Sequence, residues 1–505
     1  MLGYQKQYVG VLVFFMSMLF SEGTQSIHQR LRDNIINHTS DFNTYNTRNE
    51  EDLIEYIQST MDTHMVPGLS VSIVKGDQIV WGQNFGYANI DEDILVDSNT
   101  MFILSSVSKT ITATALMQLW ENGLFNLDDD IDEYLPFDVD HPDFPLFPIT
   151  FKMLLSHTSG INDNWSVMTY YDGDSELELE YYLEQYLTPG GEFYGSNSSY
   201  TNSQPGTNFR YSNNGAALIG LLVEQISNQS FSEYCYNYIF EPLGMNNAFW
   251  FLSEIEDLDQ VALPYNLSGG NGDNCYDIGC GVYVSNNPCF CDDACVYYND
   301  CCSDYEDVCG ENGTGSGGVT FSPYNHYGYS DWPSGQLRAS SNDLAKFMAA
   351  FINGGEYNGN RILDEDTLEL MRTIHYPQVE SSQGLIWYYK NSNGRTLFGH
   401  NGGDLGSLTE MFISFDENIG VVVLSNSSNY NAVINIENAL FSYAEENEFF
   451  DSGDINFDYQ VNILDVILLV NIILGLDTTS AVADINQDGL INVVDIVQLV
   501  NIILG

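Results

Sequence analysis

The segment TMFILSSVSKTITATALMQLWENG (residues 100–123) places Ser106 and Lys109 three positions apart at the head of an apolar run. The same S-x-x-K spacing occurs at Ser72–Lys75, inside the alternating stretch GLSVSIVKGDQIVWGQ (residues 68–83). That stretch reads as a strand turning at Lys75-Gly76-Asp77, and residues three apart on a strand point to opposite faces. Ser106 and Lys109 instead open a predicted amphipathic helix, where the same spacing puts both on one face. A serine hydroxyl is a weak nucleophile until a neighbour accepts its proton, and a lysine can do so when burial disfavours its charged form. The free N–H groups at a helix N-terminus also suit a developing oxyanion. Taken alone, the pair is equally an N-cap serine followed by a solvated lysine.

Two further stretches supply company. PGTNFRYSNNGAALIGLLVEQISNQ (residues 205–229) carries Tyr211-Ser212-Asn213 on a loop before a helix. RTLFGHNGGDLGSLTEMFISFDENIGVVVLSN (residues 395–426) carries His400-Asn401-Gly402-Gly403 at the end of one strand, before another. S-x-x-K, Y-x-N and H-x-G in this order resemble the class C β-lactamase-like serine hydrolases. LLSHTSGI (154–161), YIFEPLGM (238–245) and GQLRASSNDLAKFMAAFINGG (335–355) support the resemblance, which covers most of residues 50–445.

The resemblance implies an α+β fold: an antiparallel sheet flanked by helices, plus a helical subdomain, with Ser106 between them. It implies Ser106 as the acylated nucleophile, Lys109 and Tyr211 sharing its proton, and Asn213 binding a substrate amide or carbonyl. The N–H groups of Ser106 and Gly403 would form the oxyanion hole, where glycines 402 and 403 let substrate approach. His400 and Asn401 stand where true β-lactamases have Lys-Thr, so β-lactam turnover is expected to be weak. Family members with this histidine include esterases and D-amino-acid peptidases. His157 reads as structural, and Arg338 as a surface residue or a binder of a substrate carboxylate.

The chain has 505 residues, 44% hydrophobic and 17% charged, and a net charge of −56. Such a surface repels phosphate backbones, which excludes nucleic acid as a partner, and it suits a salty medium. Residues 1–23 read as a signal peptide: one lysine, the apolar run Val9–Phe20, then small residues; an uncleaved anchor is the alternative. No span is expected in the mature chain.

Eight of nine cysteines crowd together: Cys275, Cys280, Cys289, Cys291, Cys295, Cys301, Cys302 and Cys309. A segment this small needs disulfides to hold it, and export permits them, though spacing alone does not choose the pairs. The run CFCDDACVYYNDCCSDYEDVC (residues 289–309) resembles a somatomedin B module. That resemblance implies Cys275–Cys291, Cys280–Cys309, Cys289–Cys302 and Cys295–Cys301. The module, residues 268–318, interrupts a hydrolase-like domain of residues 24–450 and is expected at the rim of its cleft. Cys235 reads as a buried free thiol.

From Asp451 the texture changes to a repeat, DINFDYQVNILDVILLVNIILG from Asp454 and DINQDGLINVVDIVQLVNIILG from Asp484. Each copy sets oxygen ligands at loop positions one, three, five and twelve: Asp454, Asn456, Asp458, Asp465 and Asp484, Asn486, Asp488, Asp495. That spacing suits a hard cation. With Asp rather than Glu at position twelve, residues 451–505 resemble a dockerin, which implies two Ca2+ ions and a cohesin-like partner. A calcium-stapled terminal module without a docking role is the alternative.

Two readings of function follow. One is an exported serine hydrolase acting on an ester, amide or D-amino-acid peptide bond, taking a small-molecule or peptide substrate and needing no cofactor for catalysis. The other is a non-catalytic surface adhesion or scaffold protein that keeps the hydrolase fold.

Overall fold

A computed structural model describes residues 49–268, 275, 301–302, 305–309, 320–447, 453–456, 461–476, 483, 485–486 and 490–504. The expected signal peptide, Cys280, Cys289, Cys291, Cys295, Asp458, Asp484 and Asp488 lie outside them. The chain divides into two compact units, Met1–Phe441 and Ser442–Gly505.

The first unit is built on a seven-stranded sheet. Its strands are β1 (Gly68–Lys75), β2 (Gln78–Asn89), β3 (Ile94–Leu95), β4 (Tyr388–Ser392), β5 (Arg395–Asp404), β6 (Ser407–Ser414) and β7 (Ile419–Ser425). Their order is β4-β5-β6-β7-β1-β2-β3, with every pair antiparallel. The first and last strands of the sheet in chain order therefore pair at its centre, β1 with β7 from Leu69↔Ser425 to Lys75↔Ile419. Strands β6 and β7 are buried along their whole length and β1 along all but its last residue, so helices must cover both faces. One cover is Ser341–Ile352, whose Ser341 hydroxyl meets those of Ser70 (2.7 Å) and Ser72 (3.1 Å). A Cβ at Gly420 would lie 2.1 Å from the Met348 sulfur, so glycine sets how closely that helix approaches. Ser72 thus faces the helix, while Lys75 ends the strand.

The helices α1 (Ser108–Glu121) and α2 (Asn213–Ser227) form the heart of the helical part. Helix α1 corrects the amphipathic reading, because every residue from Ser108 to Leu119 is buried. Its threonines make this tolerable by returning their hydroxyls to carbonyls: Thr110 to Val107 (2.7 Å), Thr114 to Thr110 (2.8 Å) and Thr112 to Pro333 (2.7 Å). Cys235, at the end of a short helix, is a buried free thiol. Cys275, Cys301, Cys302 and Cys309 are disulfide-bonded. Among the described residues no helix is long and apolar enough to cross a membrane.

The second unit contains α3 (Ile463–Ile473) and α4 (Val493–Leu504), packed through a small core that includes Leu469, Ile472, Ile485 and Leu499.

Candidate active site

Ser106 sits on a single 3-10 turn, Ser105–Val107, just before α1. Ser105 holds a left-handed backbone (φ 49°), a conformation that costs a non-glycine residue about 1 kcal/mol or more. Strand β6 ties the turn down: Ser407 donates to the Ile103 carbonyl (2.9 Å) and Thr409 to that of Leu104 (2.8 Å). Strand β5 passes over it so closely that a Cβ on Gly402 would stand 2.4 Å from the Leu104 oxygen and 2.9 Å from the Ser106 nitrogen. Only glycine fits there.

Lys109 is fully buried. Its Nζ lies 3.1 Å from Ser106 Oγ, 2.7 Å from Asn213 Oδ1 and 2.7 Å from the Ser334 carbonyl. The Tyr211 ring flanks the same nitrogen, 4.9 Å from it at the centroid. The structure thus brings Ser106, Lys109, Tyr211 and Asn213 together from two separate stretches of chain.

Asn213 is the first residue of α2, capped by the Ser212 hydroxyl on Gly215 N–H (2.9 Å). Behind the cap lies Asp163, a residue the sequence reading missed. It accepts from Ser212 Oγ (2.9 Å), Asn213 N (2.8 Å), Asn214 N (3.1 Å) and Asn214 Nδ2 (3.1 Å). A buried carboxylate at a helix N-terminus complements the positive end of the dipole and fixes the Asn213 backbone. His157 is next to it, with a left-handed backbone (φ 54°), its Nδ1 accepting from Ser212 N–H (3.3 Å). The imidazole lies against the Tyr211 ring, centroids 4.4 Å apart. His157 therefore does more than close a corner; it backs the phenol.

His400 is buried on β5, its ring 6.2 Å from that of Tyr211 and 5.4 Å from that of Tyr388. Asn401 turns its Oδ1 to the Tyr388 hydroxyl (2.8 Å) on β4, and Gly403 lines the cleft with Ser106. Arg338 corrects both expectations held for it. It is 1% exposed and donates to the Gln336 (3.1 Å) and Tyr327 (2.5 Å) carbonyls. A guanidinium so placed holds backbone and is closed to substrate.

The cleft over Ser106 is open to solvent, with about 380 Å³ of space between its walls. Two carboxylates line it that no sequence motif singles out. Asp331 accepts from the Ser334 hydroxyl (2.8 Å), and burial raises its carboxyl to about 7, with Asp163 pushing the same way. Asp404 accepts from the Tyr170 hydroxyl (2.7 Å) and Leu405 N–H (2.8 Å); burial raises it to about 6 against those bonds.

The sequence profile of the Beta-lactamase family matches residues 53–440. The chain belongs to the Beta-lactamase family. Penicillin-binding protein 4* of Bacillus subtilis is 25% identical over 382 residues, covering 74% of this chain and 71% of that protein. Protein flp of Staphylococcus aureus strain N315 is 26% identical over 220 residues, covering 44% of this chain but only 42% of flp. Among solved structures, an octameric penicillin-binding protein homologue from Pyrococcus abyssi superposes with a TM-score of 0.55 at 24% identity, over 79% of this chain and 78% of that one. The D-amino acid amidase of Ochrobactrum anthropi SV3 gives 0.54 at 19% identity, over 78% and 98%. Both share the fold. The Dockerin type I domain profile matches residues 452–504.

In that second region the position-twelve acids organise each loop. Asp465 is buried and accepts from the N–H groups of Ile455 (2.7 Å), Asn456 (3.0 Å) and Asn462 (2.8 Å). Asp495 is likewise buried and accepts from Asn486 (3.3 Å) and Asn492 (2.8 Å). Asp454 is buried as well.

Proposed function

We propose that this Beta-lactamase family member is an exported serine hydrolase that works through an acyl-enzyme on Ser106, on an ester, amide or D-amino-acid peptide bond. The observation that carries the reading is the buried Lys109 Nζ, 3.1 Å from Ser106 Oγ and held on its other sides by two carbonyl oxygens.

A neutral amine has two N–H donors, which the Asn213 and Ser334 oxygens take, and its lone pair then faces the serine. Lys109, with Tyr211 alongside, accepts the Ser106 proton as Oγ attacks the substrate carbonyl. The Ser106 and Gly403 N–H groups receive the oxyanion. Collapse expels the alcohol or amine, which takes the proton back, leaving an ester on Oγ. Water, losing its proton to the same Lys109–Tyr211 pair, attacks that ester, and Ser106 leaves with the proton restored. Asn213 would orient the substrate amide beside the Lys109 amine. His400 would orient the Tyr211 phenol, and His400-Asn401 in place of Lys-Thr disfavours rapid β-lactam turnover. The D-amino acid amidase fold likeness makes D-amino-acid amides natural first substrates to try.

A fluorophosphonate probe should label the wild-type chain and not Ser106→Ala; equal labelling of both, or none of the wild type, would remove the reading. p-Nitrophenyl esters, D-alanyl peptides and a chromogenic cephalosporin then separate the bond types.

The dockerin-like region is proposed to hold Ca2+ through Asp454, Asn456, Asp458, Asp465 and Asp484, Asn486, Asp488, Asp495. Residues 442–505 contain no lysine, arginine or histidine, so no basic side chain among them offsets the buried Asp465 and Asp495, and a divalent ion would supply that charge. Exposed apolar pairs at positions ten and eleven, Ile463-Leu464 and Val493-Val494, suit a cohesin-like partner outside the cell. The disulfide module is proposed to border the cleft.

A further inference from the structure

The cleft beside Ser106 is walled by the rings of Trp165, Tyr170 and Tyr329 and by the carboxylates of Asp331 and Asp404. Among the described residues that line it there is no lysine, arginine or histidine. Two basic side chains lie outside this lining and are committed elsewhere: the Lys109 amine meets Ser106, Asn213 and Ser334, and Arg338 is buried against two backbone carbonyls. A substrate carboxylate entering this cleft would meet two acidic groups and no basic side chain in the lining, whereas a cation would meet two acids and three aromatic rings.

We propose that the cleft selects substrates bearing a positively charged amine, with the Asp404 carboxylate as its counter-charge, an inference that rests on the acyl-enzyme reading above.

Asp404 is the better placed of the two acids. Asp331 is 3% exposed and turned to the Ser334 hydroxyl, while Asp404 is half-buried at the end of β5. It directly follows Gly403, so its Cα is about 3.8 Å from that of the oxyanion-hole glycine, within reach of a group two or three bonds from the scissile carbonyl. Tyr170 Oη–H and Leu405 N–H both approach Oδ1, and the Tyr329 hydroxyl is a third donor to the carboxylate. A carboxylate has about four lone-pair sites, which leaves acceptor capacity for an ammonium. Tyr170 is itself fixed edge-on to Tyr329 (5.8 Å, 84°) and Tyr327 (5.4 Å, 78°), so the carboxylate is held rigidly. Burial keeps Asp404 only moderately acidic, at about 6, and a bound cation would relieve that cost. Over longer range the net charge of −56 draws cations inward and repels anions.

The test uses the full chain and matched substrates. Butyrylthiocholine is compared with its neutral isostere 3,3-dimethylbutyl thiobutyrate, placing the charge on the leaving group. D-alanine p-nitroanilide is compared with its N-acetyl and N-succinyl derivatives, placing positive, zero and negative charge on the acyl side. In at least one series kcat/KM should favour the cation by about tenfold or more, and that ratio should shrink as salt is added. Asp404→Asn should collapse the ratio, and Tyr170→Phe, which removes one donor that holds the carboxylate, should reduce it less. Fluorophosphonate labelling of Ser106 runs in parallel. Labelling with no preference for the cation in either series overturns this inference and leaves the hydrolase reading standing; no labelling removes both. If Asp404→Asn does not fold, the wild-type ratios and Tyr170→Phe still decide.

Discussion

Three acceptors surround Lys109 Nζ, and none of them is a carboxylate oxygen. Proton transfer from Ser106 to this amine would therefore disturb no ion pair, which is what the acyl-enzyme reading asks of a base. Lys109→Met should slow fluorophosphonate labelling by about 10²–10⁴-fold, the usual range for loss of general-base assistance. It should also lower the melting temperature, since each buried carbonyl left without a donor costs about 1–3 kcal/mol. Lys109→Arg should not restore labelling, because a guanidinium does not shed its proton; a fully active arginine variant would show that only the charge matters. Asp163 acts one step removed, as a positioning residue. Asp163→Ala strands the donors of Ser212, Asn213 and Asn214 and should cost about 2 kcal/mol or more, with kcat falling more than KM changes. Asp163→Asn, which keeps an acceptor oxygen, should recover most of the kcat. If the two variants share one kcat, Asp163 does not set the Asn213 geometry. The contrast between Lys109 and Asp163 shows what a sequence can disclose at this scale. Ser106 and Lys109 are three residues apart on one turn, so their meeting follows from helix geometry alone. Asp163 is fifty positions from Asn213, and Asp404 and Tyr170 meet across more than two hundred, so nothing local announces either pair.

The strands were more legible than the helices, for a physical reason. Strand β1 alternates in sequence and turns at Lys75-Gly76-Asp77, so its limits follow from the turn residues, although the fold buries both of its faces. Helix α1 defeats an amphipathic reading because it is buried on every side, and its threonines look polar in sequence while bonding to carbonyls in the fold. A buried charge cluster was also beyond sequence reach. Lys390 on β4 donates to Glu410 on β6 (2.8 Å) and to both oxygens of Glu437 (2.8 and 2.9 Å) on the helix Tyr430–Glu446. Two acids share one cation there. Burial raises Glu410 to about 8 against the pull of Lys390, and Glu437 adds to the rise. A carboxyl whose folded pKa exceeds its usual 4.5 keeps a proton that the unfolded chain has released. Its stabilisation is therefore fully present below about 4.5 and lost as pH climbs through about 8. Thermal melts between about pH 5 and pH 9 should show wild type losing stability more steeply than Glu410→Gln, which removes the surplus negative charge but keeps an oxygen for Lys390. Parallel curves would mean that Glu410 stays ionised throughout.

At the scale of the whole molecule, 70 acidic residues against 14 basic ones create two different needs for cations. Surface acids are served by any salt, because screening shortens the reach of repulsion from about 30 Å at 0.01 M to about 3 Å at 1 M. The buried acids of the second unit are not: Asp465 and Asp495 are closed to solvent, and residues 442–505 contain no basic side chain. On the proposed calcium reading their requirement is a bound ion at a few ligands, saturable and specific for a divalent metal. The two needs separate in titration. Sodium chloride should raise the melting temperature of the first unit gradually, without a plateau below molar concentration. Ca2+ should stabilise the second unit by about 2.7 kcal/mol once it reaches a hundred times its Kd, and magnesium should replace it poorly. Chelation in high sodium chloride should then open residues 452–504 to proteolysis while Ser106 still labels, because the residues around the nucleophile all belong to the first unit. Protection of the second unit by sodium chloride alone would mean that its aspartates are satisfied by screening or protonation, and the calcium assignment would fall.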